Sequence, residues 1–149
     1  MTIKNDQELK AALNALSSDQ QRILGARFTE SVVKLTDNSR LASALKVALD
    51  PESDVGALND AYKVAKSIAT KTYTACGRDA DWALQAEHFV AAACAAVLTP
   101  DALVTETFNS AWKAAIQARM AKNCMMIEND SGEVENEAEK QYQIASNFL

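Results

Sequence analysis

The sequence predicts an all-α fold of about six or seven helices. Alanine recurs at helical spacing, most densely from Ala80 to Ala121. Only four glycines and two prolines interrupt the 149-residue chain, which is too few for a turn-rich β fold. Apolar residues make up 48% of the chain, enough to bury the core of one ordinary domain. We therefore expect residues 1–149 to form a single helical domain.

The first two helices are predicted from their N-terminal caps. Asn5 with Glu8, and Ser17 with Gln20, have the spacing of a capping box. The polar segment 37–39 ends the second helix, because short polar side chains compete for backbone groups. The apolar faces repeat every three or four residues and comprise Leu9, Ala12, Leu13 and Leu16 in the first helix and Ile23, Leu24, Phe28, Val32 and Leu35 in the second.

Turn-forming residues set the limits of the third and fourth helices. The third helix is predicted over residues 39–49, because the residue before Pro51 avoids the α region. Ser53 or Asp54 then caps the fourth helix. Gly77 lies where a left-handed C-terminal cap is expected, so the fourth helix ends there.

The later helices are predicted from similar signals. Asp79 or Asp81 begins the fifth helix. The segment 99–101 offers an N-cap threonine, a proline at the first helical position and an acid, so a sixth helix is predicted from Pro100 to about Ile127. A turn at 129–132 precedes a last helix. The residues expected to face inward are Trp82, Ala86, Phe89, Val90 and Ala93 in the fifth helix and Val104, Phe108, Ala111, Trp112 and Ala115 in the sixth. In the last helix they are Val134, Ala138, Tyr142, Ala145 and Phe148.

The alanine pattern predicts where the core lies. Small side chains at a contact let two helix axes approach to about 8 Å. The fifth and sixth helices are therefore expected to form the central, most buried pair. Because packing alone explains this pattern, it carries no information about function.

The charge of the chain is unevenly distributed. The net charge is -5, so the basic surplus typical of a duplex-binding domain is absent. Six of the 20 acidic residues lie in residues 128–139, which contain no basic residue, and the rest of the chain is nearly neutral. A solvated loop and helix start is the simplest interpretation of this run. It comprises Glu128, Asp130, Glu133, Glu135, Glu137 and Glu139.

Other sequence signals favour a cytoplasmic protein without a membrane partner. The chain has no apolar run of the ~20 residues that a bilayer-spanning helix needs, and its N-terminus lacks a signal-peptide pattern. Cys76, Cys94 and Cys124 are odd in number and widely spaced, unlike a disulfide framework or a zinc motif. Free thiols in a reducing cytoplasm fit this pattern best.

No catalytic motif is visible, so the sequence predicts a non-enzyme without a cofactor. His88 is the only histidine, which excludes schemes that need two. It could act as a lone acid or base with Glu87 or Glu106, but a structural histidine beside Phe89 is favoured. Phosphate-binding and nucleophile-elbow motifs are absent. Cys124 and Met120 are soft ligands that suit copper(I), yet such residues are usually core filler.

The segment Cys76-Gly77-Arg78-Asp79 resembles the Cys-x-Arg-Asp motif of phycobiliproteins, a globin-like family that binds linear tetrapyrroles. The resemblance implies Cys76 as the thioether anchor, Arg78 as the propionate partner and Asp79 as the acceptor for pyrrole N–H groups. It covers about twenty residues.

The likeness has departures and an alternative. The family's arginine is replaced by Gln85, and its Ala-Gly-Asp turn by residues 93–95, Ala-Cys-Ala. The alternative needs no pigment: Gly77 ends one helix, Arg78 is solvated and Asp79 caps the next. A second likeness, to alanine-rich helical proteins classed as bacterial immunity proteins, rests on periodic alanine with tryptophan and on Gln141-Tyr142.

The leading functional hypothesis is a non-enzymatic helical module that acts through protein–protein interaction or self-association. Two oppositely charged surfaces are candidates for docking, and they could also pair between protomers. The residues proposed are Glu133, Glu135, Glu137 and Glu139 on the acidic segment, and Lys63 and Lys66, with Lys71, on the fourth helix.

Overall fold

The computed structural model describes residues 2–75, 81–129 and 136–149, and it confirms the all-α fold class. Within these residues the regular structure is helical and contains no strand. The α-helices are α1 (Asp6–Asn14), α2 (Ser18–Glu30), α3 (Ser39–Leu49), α4 (Val55–Ala75), α5 (Trp82–Leu98), α6 (Ser110–Asn129) and α7 (Glu137–Phe148). Short 3-10 turns occur at Val33–Leu35 and Asp101–Leu103.

Side-chain caps begin the helices much as the sequence predicts. Ser17 and Gln20 form a reciprocal capping box at α2, and the Asn5 side chain caps α1. Asp54 caps α4, since its Oδ1 accepts a hydrogen bond from the Ala57 N–H at 2.7 Å. Asp81 caps α5 in the same way. These side chains satisfy backbone N–H groups that the first helical turn leaves without a partner.

The α5–α6 pair lies at the centre of the fold, as predicted. It is the most extensive helix contact in the described residues, with α4 packed against α5 and α2 against α6. The buried side chains at this centre are mostly alanine, which allows the helices to approach closely. They include Ala86, Ala91 and Ala93 of α5 and Ala111, Ala114, Ala115, Ala118 and Ala121 of α6.

Helix α2 crosses this pair at a glycine. A Cβ atom built on Gly25 would lie 2.6 Å from Val97 Cγ1 and 3.0 Å from the Ala111 Cα. A real Cβ atom cannot occupy that space unless the helices move apart. Gly25 is therefore required by the close approach of α2 to both α5 and α6.

The buried apolar residues form two clusters on either side of this crossing. The larger cluster joins α3, α4, α5 and α6 with part of α2. The smaller one joins α1, α2, α7 and the first turns of α6, and it contains Ile3, Leu9, Leu13, Leu24, Phe28, Ala111, Ala115 and Ala145. Helix α2 contributes to both clusters, although it ends earlier than predicted, at Glu30.

The prediction that the sixth helix starts at Pro100 is wrong, because α6 begins at Ser110. Pro100 has a ψ of 147°, in the extended region, and only the turn Asp101–Leu103 follows it. Thr99, the predicted N-cap, donates its hydroxyl to the Ala95 carbonyl at 2.8 Å. That hydroxyl therefore satisfies the C-terminal end of α5 and does not begin a new helix.

Asn109 is the cap that α6 uses. Its Oδ1 accepts a hydrogen bond from the Trp112 N–H, and its carbonyl accepts one from the Lys113 N–H, both at 3.0 Å. Residues 101–109 consequently form a surface connection, which we call the 101–109 loop. Val104, predicted to face the core, is 38% exposed.

A polar network joins α1, α6 and α7. The Arg119 guanidinium donates to both carboxylate oxygens of Asp6, at 2.8 and 3.0 Å, and to Gln141 Oε1 at 2.8 Å. The Tyr142 hydroxyl donates to Asp6 Oδ1 at 2.7 Å. The hydrogen bond from Arg119 is the main reason that the pKa of Asp6 lies below its ordinary value, and the one from Tyr142 adds to this effect. Burial of the carboxyl group acts in the opposite direction. The Asp6 carboxylate thus connects the first helix to the last two.

Replacing Asp6 with asparagine tests this network. A carboxyl group with a depressed folded-state pKa stabilises the fold above its unfolded-state pKa, about 3.9 for aspartate, and that stabilisation is lost as the pH falls through the folded-state pKa. We expect Asp6→Asn to lower the free energy of unfolding by about 1 kcal/mol at pH 7, because the pair is half-exposed, and by less at pH 3. Urea unfolding at both pH values measures the difference. The exposed Asp37→Asn variant is the control, and an Asp6→Asn deficit unchanged at pH 3 would contradict the assignment.

Candidate functional site

The fourth helix presents a basic edge, as predicted. Lys63, Lys66 and Lys71 are exposed along α4, and we call them the lysine edge. Together with Tyr62 and Thr70 they line a shallow surface depression of 420 Å³. The spacing of these lysines places their ammonium groups along one side of the helix.

A deeper groove adjoins the lysine edge, between α4, α5 and the 101–109 loop. It has a volume of 480 Å³, and we call it the His88 groove. Its floor is formed by the small side chains Ala92, Ala95 and Ala96 of α5. The larger lining side chains are Tyr62, Lys66, Tyr73, His88, Phe108 and Lys113.

Two hydrogen bonds fix the orientation of the His88 ring. Its Nδ1 lies 2.9 Å from the Ala69 carbonyl and 3.1 Å from Thr72 Oγ1. The Thr72 hydroxyl donates to the Ile68 carbonyl at 2.7 Å, so its oxygen faces His88 as an acceptor. Both partners of Nδ1 are therefore acceptors, and Nδ1 carries the hydrogen. In the neutral ring the lone pair is then on Nε2.

Aromatic and cationic side chains surround this ring. The Tyr73 ring centroid lies 5.7 Å from that of His88, and Phe89 makes an edge contact at 5.2 Å. The Lys113 ammonium lies 5.6 Å from the Phe108 ring centroid, a cation–π contact that places a positive charge at the 101–109 loop side of the groove.

Large apolar side chains are exposed around the same loop. Tyr73 is 70% exposed and Leu103 is 62% exposed, and both line the His88 groove. On the other side of the loop, Val55 and Val104 are also exposed and line a second groove of 490 Å³. Clustered exposed apolar side chains of this kind mark surfaces that bind other molecules.

Glu137, one of the acidic residues predicted for docking, is buried and does not face solvent. Only 5% of its surface is exposed, and the Ser31 hydroxyl donates to its Oε1 at 2.5 Å. Its Oε2 lies 3.9 Å from the Lys140 ammonium and has no hydrogen-bond partner among the described residues. Glu137 occupies the inward stripe of α7 with Gln141 and Ala145, four and eight residues later, which explains the burial.

Of the other acidic and tetrapyrrole-binding residues predicted, the structure describes only Glu139. Glu139 is exposed in the first turn of α7. Glu133 and Glu135 lie outside the described residues. So do the predicted tetrapyrrole-binding residues, Cys76, Arg78 and Asp79, and their proposed role stays a prediction.

Buried Cys94 is a free thiol, as the sequence predicts. Burial raises the pKa of its thiol to about 12, so the thiol stays protonated and unreactive at neutral pH. Cys124 is also buried. Among the described residues, no cluster of three or more histidine, cysteine, aspartate or glutamate side chains has an arrangement that could hold a metal ion.

Comparisons with known proteins do not assign this site. No protein-family model, curated protein or solved structure matches the chain. None of the helices in the described part of the chain is both long and apolar enough to cross a bilayer.

The sequence pattern does not predict the His88 groove, because it favours a helix over residues 100–109 and places Phe108 in the core. The signal that would have corrected this is Asn109, which lies three residues before Trp112 and has the side chain of a preferred N-cap. Val104, Thr105 and Thr107 are also β-branched residues that favour extended backbone.

Proposed function

We propose that the protein is a cytoplasmic, non-enzymatic helical module that self-associates. In this proposal the lysine edge of one copy contacts the acidic 128–139 segment of another. The observation that carries it is that the described residues include exposed lysines on α4, exposed acidic residues near the end of α6 and the start of α7, and exposed apolar side chains on α4 and α6.

The basic surface combines charge with apolar area. Lys63 and Lys66 are exposed on α4, and Lys66 lines the His88 groove together with the exposed side chains of Tyr73 and Leu103. Apolar area supplies a driving force that charged pairs at a protein surface do not supply alone.

The acidic surface has the complementary composition. Met120 and Ile127 are exposed, and their seven-residue spacing places them on the same side of α6. Glu128, which follows Ile127, and Glu139, in the first turn of α7, are also exposed. Complementary charges increase the rate of encounter and select the register, while the apolar side chains are buried on contact.

Light scattering on the purified protein tests the proposal. We expect a mass at least twice 16.1 kDa at tens of micromolar, falling toward that value in 1 M salt, where charges are screened beyond about 3 Å. We expect the charge-reversed pair Lys63→Glu with Lys66→Glu to be monomeric. Lys34 and Lys46 are also exposed, so reversing both gives a control with the same net charge that should still associate.

A charge-swap experiment makes the test specific. The Lys63→Glu, Lys66→Glu protein has no basic edge for its neighbour, while a Glu128→Lys, Glu139→Lys protein has a weakened acidic surface. Mixing the first variant with the second should produce a mixed species, because the intact acidic segment of the first can still contact the intact lysine edge of the second. A concentration-independent wild-type monomer would overturn the proposal, and would leave the lysine edge available to a different acidic protein.

A further inference from the structure

We infer that the His88 groove binds a small organic anion that has an aromatic body and also offers a hydrogen-bond donor. This inference shares Lys66, Tyr73 and Leu103 with the proposed self-association surface, but it is argued from the lining of the groove in a single chain. Each part of the ligand description follows from a different feature of that lining.

The size and walls of the groove select the body of the ligand. Its volume of 480 Å³ lies in the range of small-molecule sites, about 300–1,000 Å³. Three alanines form the floor, so a flat group can lie against α5 without meeting a long side chain. The rings of Tyr62, Tyr73 and Phe108 form walls that favour contact with an aromatic group.

The charge of the groove selects an anion. Lys66 contributes an ammonium group from α4, and Lys113 contributes another from α6. None of the described residues that line the groove carries a carboxylate. The two positive charges are thus not neutralised by acidic side chains within the lining, and a carboxylate on the ligand would pair with them.

His88 selects the hydrogen-bond donor. Since Nδ1–H is held by the Ala69 carbonyl and Thr72, the ring cannot turn to present this donor to a ligand. No described residue forms a hydrogen bond with Nε2. In the neutral ring, Nε2 is therefore an oriented acceptor, and a ligand hydroxyl or N–H would satisfy it.

Three related probes separate these contributions. 4-Hydroxyphenylacetate carries the carboxylate, the ring and the hydroxyl donor. 4-Methoxyphenylacetate lacks the donor, and 2-(4-hydroxyphenyl)ethanol lacks the carboxylate. For a ligand of this size we expect a dissociation constant of about 0.1–1 mM for the first probe. We expect each of the others to bind at least about fivefold more weakly, as measured by calorimetry or NMR titration.

The single histidine of the chain provides a direct readout. In ¹⁵N NMR spectra of the side chain, the free protein should show a hydrogen on Nδ1. The Nε2 signal should shift when 4-hydroxyphenylacetate is added and should move much less with the methoxy probe. Shifts confined to residues outside the groove would overturn the inference.

Variants complete the test. Lys113→Gln should weaken binding of 4-hydroxyphenylacetate by fivefold or more, while Lys63→Gln, on the lysine edge but outside the groove lining, should leave it unchanged. His88→Phe keeps an aromatic ring and should remove the preference for the hydroxyl probe over the methoxy probe. Unchanged affinity in Lys113→Gln contradicts the site. Lys66 belongs both to the lysine edge and to the lining of the groove. The Lys113 and His88 variants are therefore made in the protein with wild-type Lys63 and Lys66, so that each proposal is tested separately.

Discussion

Replacing Ala93 with leucine will lower the free energy of unfolding by about 3 kcal/mol, the upper end of the range for overfilling a packed core. Ala93 is fully buried in α5, within the cluster that α3, α4, α5 and α6 share. A leucine there adds three carbon atoms where neighbouring alanines set the separation of the helices. The helices must move apart or the new side chain must leave its preferred rotamers, and both cost free energy.

The control for this variant lies on the same helix. Ala83 is exposed in the first turn of α5, so Ala83→Leu changes the same atoms without filling the core. Denaturant unfolding of both variants should show a large loss for Ala93→Leu and a change within about 0.5 kcal/mol for Ala83→Leu. Equal effects would mean that α5 does not pack as described.

Gly25→Ala is expected to have the next largest effect, a loss of about 2 kcal/mol. Alanine forms helices better than glycine by about 1 kcal/mol, so on an isolated helix the change would be stabilising. In the protein the new Cβ would lie 2.6 Å from Val97 Cγ1 and 3.0 Å from the backbone of Ala111. We expect the steric cost to exceed the gain in helix propensity.

Two further variants test the cause of that loss. Gly56 lies near the start of α4, where a new Cβ would only reach ordinary contact with Asp54, at 3.4 Å from Oδ1. Gly56→Ala should therefore be neutral or stabilising by about 0.5 kcal/mol. Adding Val97→Ala to Gly25→Ala should make the combined loss smaller than the sum of the two single losses, because it removes the closest of the clashing atoms. Additive losses would show that the Val97 contact is not responsible.

Much of the fold could be predicted from the sequence because its determinants are local. A capping residue and its partner three positions later identify a helix start without knowledge of the tertiary structure, as Ser17 and Gln20 show. The centre of the fold can be predicted from a second local pattern. The fifth and sixth helices are rich in alanines such as Ala93 and Ala118, and small side chains let helices pack closely, so these two helices are expected to form the buried pair.

The parts that were harder to predict depend on a competing local cap or on long-range contacts. Thr99-Pro100-Asp101 begins a 3-10 turn as readily as an α-helix, and only the later cap at Asn109 distinguishes them. Glu137 is an acidic residue of a type that usually faces solvent, but it occupies an inward position on α7 and accepts a hydrogen bond from Ser31, which follows α2. The His88 groove is formed by residues of α4, α5 and the 101–109 loop, so no single sequence motif predicts it.

Ala92 and Ala93 are neighbours on α5 that face different surroundings. Ala93 packs in the core, while Ala92, the adjacent residue, is only half-buried and belongs to the floor of the His88 groove. A larger residue at position 92 would reduce the room for a ligand while the helix crossing stayed as it is. If the groove binds the ligand proposed above, substitutions at position 92 can change its specificity with less disturbance of the core than substitutions at position 93.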